Sequence, residues 1–109
     1  MLKNIILNLL SNASKYSPEN SFIEFDTRLD EKELEITVAD HGMGIPESDR
    51  EHLFERFFRA HNVTNIQGTG LGLNIVKRYV DLMKGKVTFA SKEREGTTFK
   101  VTIENQNII

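Results

Sequence analysis

Four polar residues of the opening segment, Asn4, Asn8, Asn12 and Lys15, stand three or four positions apart. On a helix that spacing stacks them along one face. Asparagine is a weak helix former because its amide competes for backbone hydrogen bonds. A face that only had to meet water would be better served by Glu, Lys or Gln. A row of amide oxygens ending in an ammonium group suits a hard cation and phosphates. Mg²⁺ takes oxygen ligands and keeps several waters, so one amide plus phosphate oxygens can hold it. Taken alone, the row reads equally well as a solvated face.

A second stretch invites an anion. Gly68-Thr69-Gly70-Leu71-Gly72-Leu73 runs into the apolar-periodic Asn74-Ile75-Val76-Lys77-Arg78-Tyr79-Val80. Glycine lets a backbone approach a ligand closely, and a helix starting there points unpaired N–H groups and its positive end at the occupant. Such a cluster also serves as plain turn punctuation. No Gly-Lys-Ser/Thr follows, so this is not a P-loop, and the spacing is not that of a dinucleotide fold.

The third candidate is Asp40-His41-Gly42-Met43-Gly44-Ile45-Pro46. A lone aspartate before spaced glycines is often only a tight exit turn. As chemistry, an ionised carboxylate is an acceptor alone. It can take a hydrogen bond from the exocyclic amine of adenine and repels the carbonyl oxygen of guanine. The two glycines would let the backbone lie against a flat base. His41 reads as a polar turn residue, and neither His52 nor His61 has a partner at metal-ligand spacing.

These stretches need elements to carry them. Leu2, Ile5, Ile6, Leu9, Leu10, Ala13 and Tyr16 give the opening helix an apolar stripe, stopped by Ser17-Pro18-Glu19-Asn20. Ile23, Phe25 and Leu29, then Leu34, Ile36 and Val38, alternate with polar residues on either side of Asp30-Glu31-Lys32. This predicts two antiparallel strands, each with one dry and one wet face. Residues 47–54 predict a short helix with an acidic start, and Phe54, Phe57 and Phe58 read as satellite core, with Arg56 and Arg59 able instead to reach a phosphate. Residues 60–67, without period, read as a lid over a bound ligand or as a plain surface loop. Leu71, Ile75, Tyr79 and Leu82 mark a second amphipathic helix with Gly85 as its stop. Val87 and Phe89, then Phe99, Val101 and Ile103, mark two more strands around Glu93-Arg94-Glu95-Gly96. The tail 104–109 is expected to fray, with packing of Ile108 and Ile109 as the alternative. The sum is an α+β two-layer sandwich, an antiparallel or mixed sheet of at least four strands with helices on one face.

With 109 residues, 39% hydrophobic and 28% charged, the chain has room for one domain and one modest core. A net charge of −2 without a basic block disfavours nucleic-acid binding. The absence of cysteine removes disulfide and thiolate chemistry. No apolar run spans a bilayer. The default compartment is the cytoplasm, which leaves a longer parent protein free to be anchored at a membrane.

Taken together, Asn8-x-x-x-Asn12-Ala13-x-Lys15-Tyr16, Asp40-x-Gly42-x-Gly44, Phe54-x-x-Phe57-Phe58-Arg59 and Gly68-Thr69-Gly70-Leu71-Gly72-Leu73 occur in one order over one domain length. The chain closely resembles the ATP-binding catalytic domain of sensor histidine kinases, whose nucleotide fold is shared with gyrase, Hsp90 and MutL. The resemblance implies ATP and Mg²⁺ as ligands. It implies that Asn12 is the Mg²⁺ ligand, that Asn8 and Lys15 meet the phosphates, and that Tyr16 lies by the ribose or adenine. Asp40 would take the adenine amine, with Gly42 and Gly44 beneath the base. Gly68, Thr69, Gly70, Leu71 and Gly72 would line the phosphates and hinge the lid, and Arg59 would approach the γ-phosphate. No catalytic nucleophile is expected inside the domain.

The resemblance also implies partners outside this chain: a histidine-bearing dimerisation domain and a response regulator. The family usually places a strand ahead of the first helix, whereas Met1 falls almost at that helix here. Residues 1–109 are therefore expected to be an N-terminally truncated catalytic domain, unable to phosphorylate itself. Its exposed sheet edge is open to self-association. The alternative functions are an ATP-sensing regulatory module and a protein-interaction module, neither with phosphotransfer.

Overall fold

A computed structural model describes residues 2–18, 20–54 and 72–108. Helix α1 spans Leu2–Tyr16. Strands β1 (Glu24–Leu29) and β2 (Glu33–Asp40) follow, then a 3₁₀ turn over Glu47–His52. Helix α2 spans Gly72–Leu82, and β3 (Lys86–Lys92) and β4 (Gly96–Glu104) complete the sheet. The strand order is β1-β2-β4-β3, and every pairing is antiparallel. Both helices pack on one face, α1 over β2 and α2 over β3, and they pack against each other. This is the expected two-layer α+β sandwich. Among the described residues, no helix is long and apolar enough to cross a membrane.

The core follows from the two periodicities. Ile5, Leu9 and Ala13 recur every fourth residue on α1, and Val76 and Val80 do so on α2. Ile36 and Val38 of β2 and Phe99, Val101 and Ile103 of β4 alternate, so all five point to the helix face. Each fully buried aliphatic side chain contributes about 2 kcal/mol relative to exposure. The other face of β2 and β4 meets solvent, where Lys100 Nζ lies 3.4 Å from Glu35 Oε1. Phe54 makes edge-on contacts with Phe89 and Phe99, with centroids 6.0 and 6.3 Å apart, so this phenylalanine is satellite core. Asn74 Nδ2 donates to the Phe54 carbonyl and ties that segment to α2.

Three expectations need correction. The first concerns β1, which has no dry face. Its register sets Phe25 opposite Val38 and Leu29 opposite Leu34, on the helix side of the sheet. Yet Phe25 is 45% and Leu29 72% exposed, because the helix layer stops short of this outermost strand. The second is the end of α2. Lys84, at φ 56°, is the left-handed residue, with Lys84 N–H donating to Asp81 O and Gly85 N–H to Val80 O. That pair of bonds is a Schellman ending with Lys84 in the position glycine favours. Gly85 is glycine for another reason: a Cβ there would stand 2.7 Å from the Thr102 carbonyl oxygen. The third is the tail, which follows the packed alternative rather than fraying: a 3₁₀ turn covers Asn105–Asn107, and Ile108 packs against the core. Asn105 holds the β1–β2 turn, its N–H donating to Lys32 O and its Nδ2 to Asp30 O.

Candidate functional site

The polar flank of α1 connects two other parts of the chain. At Asn8, Nδ2 donates to the Asn4 carbonyl at 2.7 Å. Asn8 Oδ1 then faces Gly72, the first residue of α2, 3.5 Å from where a Cβ would stand. Two turns along the same flank, Lys15 lines an open cavity of about 350 Å³ with Ser17 and Pro18. His41, Gly42 and Met43, which follow β2, form its opposite wall, and Arg94 of the β3–β4 turn completes it. Asn12 lies between these ends, half-buried. Its amide makes no hydrogen bond to another described residue. Tyr16 is the last residue of α1.

Asp40 ends β2 and is only 8% exposed. Its Oδ1 accepts the Gly42 N–H at 2.9 Å, which folds the chain back under the carboxylate. Burial pushes the Asp40 carboxyl above the usual carboxylate range; the N–H groups of Gly42 and Thr97 and the charge of His41 pull it down less strongly. The result is an acceptor kept out of bulk water.

Gly44 sits at φ 71°, and a Cβ there would collide with the Lys92 carbonyl oxygen. Its bareness lets the loop press on the β3–β4 turn, where Arg94 N–H donates to Met43 O at 2.7 Å. This gives Gly44 a structural reason independent of any base. Gly96 is similar, with φ 132° and the Asp40 carbonyl oxygen where its Cβ would go.

The sequence reading missed what braces this corner. Ser91 Oγ accepts the Ile45 N–H at 2.8 Å and lies 2.8 Å from Thr97 Oγ1. Arg50 donates to the carbonyls of Ile45 and Ser91. Only Gly96 left a legible mark, since a glycine opening a strand signals close backbone approach. Ser91 and Arg50 bear on the site through bonds no local pattern encodes.

The structure thus sets Asn8 beside Gly72, and Lys15 beside Gly42, with Asp40 behind Gly42. Arg56, Phe57, Phe58, Arg59, the lid and Gly68, Thr69, Gly70 and Leu71 lie outside the described residues. Among the described residues, no three His, Cys, Asp or Glu side chains gather where they could hold a metal. A hard cation here would take the Asn12 amide oxygen together with phosphate and water oxygens, a set that suits Mg²⁺. With Lys15 and Arg94 around one opening, the cavity favours an anionic ligand.

Residues 1–107 match the family model described as histidine kinase-, DNA gyrase B-, and HSP90-like ATPase. The signal transduction histidine-protein kinase ArlS of Staphylococcus aureus is 38% identical over 101 residues, covering 91% of this chain and 22% of that protein. Among solved structures, the mycobacterial sensor histidine kinase MprB superposes with a TM-score of 0.80 at 32% identity, covering 94% of this chain and 71% of that one. The nucleotide-free catalytic domain of histidine kinase ThkA gives 0.78 at 30% identity, covering 94% and 66%.

Proposed function

Because the chain belongs to the histidine kinase-, DNA gyrase B- and HSP90-like ATPase family, we propose that it binds Mg-ATP and donates the γ-phosphoryl group to a histidine on a separate domain. The supporting observation is the single polar flank of α1, which meets the start of α2 at Asn8 and the Asp40 loop at Lys15. One ligand lying along that flank would reach both ends.

In this reading Asp40 accepts the adenine amine, and the Gly42 backbone lies beneath the base. Lys15 and Asn8 hold phosphate oxygens, Tyr16 borders the ribose or adenine, and Asn12 offers its amide oxygen to Mg²⁺. Bound Mg²⁺ would neutralise charge on the phosphates as the bond to the leaving oxygen breaks. A nitrogen of the acceptor histidine forms the new bond to phosphorus, and ADP departs. The chain supplies positioning and charge, which is most of what phosphoryl transfer requires. The acceptor histidine belongs to a dimerisation domain, and a response regulator takes the phosphoryl group onward. The work takes place on the cytoplasmic side, where ATP is available.

The test is transfer in trans. The chain, γ-labelled ATP and Mg²⁺ are mixed with a histidine-bearing dimerisation domain supplied separately. Label on that domain, lost in acid and kept in base, supports the proposal. ATP binding without any transfer would support the ATP-sensing module instead. Absence of nucleotide binding would leave the protein-interaction reading.

A further inference from the structure

The cavity between α1 and the Asp40 loop has a cation on each side. Lys15 lines it from the end of α1, and Arg94 lines it from the β3–β4 turn. Neither side chain makes a hydrogen bond or an ion pair with another described residue. Among the described residues, no Asp or Glu lines the cavity, because Asp40 lies behind Gly42 and accepts its N–H. The acid that follows Arg94, Glu95, is engaged elsewhere, its Oε2 3.5 Å from Lys92 Nζ. Two cations without a counter-charge around about 350 Å³ make a place for an anion.

Arg94 is also held in a costly conformation. Its φ of 67° lies in the left-handed region, where a Cβ crowds the backbone. The other two described non-glycine residues at positive φ have local explanations. Asparagine tolerates the region, as at Asn20, and Lys84 closes the end of α2. Of the three, Arg94 is the one whose side chain lines this cavity. Its support is firm. Arg94 N–H donates to Met43 O at 2.7 Å, Glu95 N–H donates to Lys92 O at 3.0 Å, and Gly96 presses on the Asp40 carbonyl. The guanidinium is thus carried on the same frame as Gly42 and Asp40.

We propose that Arg94 is a second phosphate-binding residue, and that its guanidinium and the Lys15 ammonium hold one phosphate of the nucleotide between them. The inference rests on the nucleotide reading of this site. It adds the group that selects a phosphorylated ligand over a nucleoside. Side-chain chemistry divides the work. The guanidinium is a planar fork that takes two oxygens of a phosphate, and the ammonium is a point charge that takes a third.

Calorimetric titration of wild type, Arg94→Gly, Arg94→Lys and Lys84→Gly with ATP, adenosine and inorganic tripolyphosphate tests this. Arg94→Gly keeps the N–H that bonds Met43 and relieves the left-handed φ, so its melting temperature should equal or exceed that of wild type. It should bind ATP and tripolyphosphate about tenfold more weakly and adenosine as wild type does. Arg94→Lys returns the charge without the fork and should recover part of the loss. Lys84→Gly removes a cation outside the cavity and should leave all three affinities unchanged. Equal ATP affinity in Arg94→Gly and wild type would overturn the proposal. So would an equal loss for adenosine, which would make Arg94 a support for the base, or a matching loss in Lys84→Gly, which would make the effect one of net charge. A wild-type chain that binds neither ATP nor tripolyphosphate would overturn it together with the nucleotide reading. Arg94-dependent binding of tripolyphosphate by a chain that ignores ATP would support the two-cation site and remove the nucleotide reading alone.

Discussion

Asn8 Oδ1 stands 3.5 Å from the point a side chain on Gly72 would occupy. An alanine methyl therefore fits there at ordinary contact distance, and the φ of Gly72 is not in the left-handed region. Gly72→Ala is expected to fold and to gain about 0.5 kcal/mol from better helix propensity at the first residue of α2. The same methyl would cover the amide oxygen of Asn8, so nucleotide affinity should fall while stability rises. Urea denaturation paired with an ATP titration checks this. Both quantities falling together would mean that Gly72 is needed by the fold alone.

Gly44 should behave in the opposite way. Its φ of 71° and the Lys92 carbonyl behind it leave no room for a Cβ. Gly44→Ala is expected to cost about 3 kcal/mol. The loss should appear as a lower denaturation midpoint in the ligand-free protein. A variant as stable as wild type would show that the loop yields easily, and would leave a bound base as the reason for this glycine.

Lys84→Gly should stabilise the chain by about 1 kcal/mol, because Lys84 is held at a left-handed φ of 56° without needing its side chain there. Thermal denaturation measures this. An unchanged or lower melting temperature would count against the Schellman ending.

Much of this molecule could be read before its structure. The four-residue recurrence of Ile5, Leu9 and Ala13 gave α1, and the alternation of Ile36 with Val38, and of Phe99 with Val101, gave the inner strands. The order of the elements followed from these patterns. What stayed hidden depended on contacts across the fold. Phe25 and Leu29 alternate like buried residues, yet how far the helix layer reaches is not written in the alternation of one strand. Lys84 gave no sign of its conformation because lysine is not a residue expected at positive φ. The spacing of Asn8 from Asn12 and Lys15 was legible. That Asn8 meets Gly72, while Lys15 meets the Gly42 loop, required the packing of α1 on its neighbours. The brace of Ser91, Arg50 and Thr97 under the Asp40 corner had no local signature at all.

Asp40 predicts a pH dependence of unusual sign for a carboxylate. Its proton is held to higher pH in the folded protein than in the unfolded one, because burial disfavours the charge. Its favourable contribution is therefore complete below the ordinary carboxylate range and is lost as pH rises through the elevated folded value. Asp40→Asn keeps an oxygen for the Gly42 N–H and removes the charge, so it should be more stable than wild type at neutral pH, with the difference vanishing in acid. Asp30 works in the other direction. The N–H groups of Glu33 and Lys32 hold it below its usual range, so its contribution is present above that range and lost as pH falls. Denaturation of Asp40→Asn and Asp30→Ala from acid to neutral pH separates the two. Asp40→Asn should also bind ATP and GTP more nearly alike, and retained discrimination would remove Asp40 from base recognition.

The chain's own histidines are not expected to be phosphorylated. Of the two described histidines, His41 packs tilted against Phe22 with centroids 4.7 Å apart and faces Glu24, and His52 Nε2 lies 3.2 Å from Glu51 Oε1. Incubating the chain alone with γ-labelled ATP should leave no acid-labile, base-stable label. Such a label would place an acceptor within these residues.

The central claim is that the amide flank of α1 and the Asp40 loop serve one nucleotide. Calorimetric titration of wild type and Asn12→Ala with ATP, with and without Mg²⁺, tests it most directly. One site should bind ATP more tightly when Mg²⁺ is present in wild type, and Asn12→Ala should lose that enhancement while still binding metal-free ATP. An absence of heat in the wild type, or an unchanged Mg²⁺ enhancement in Asn12→Ala, would contradict the account.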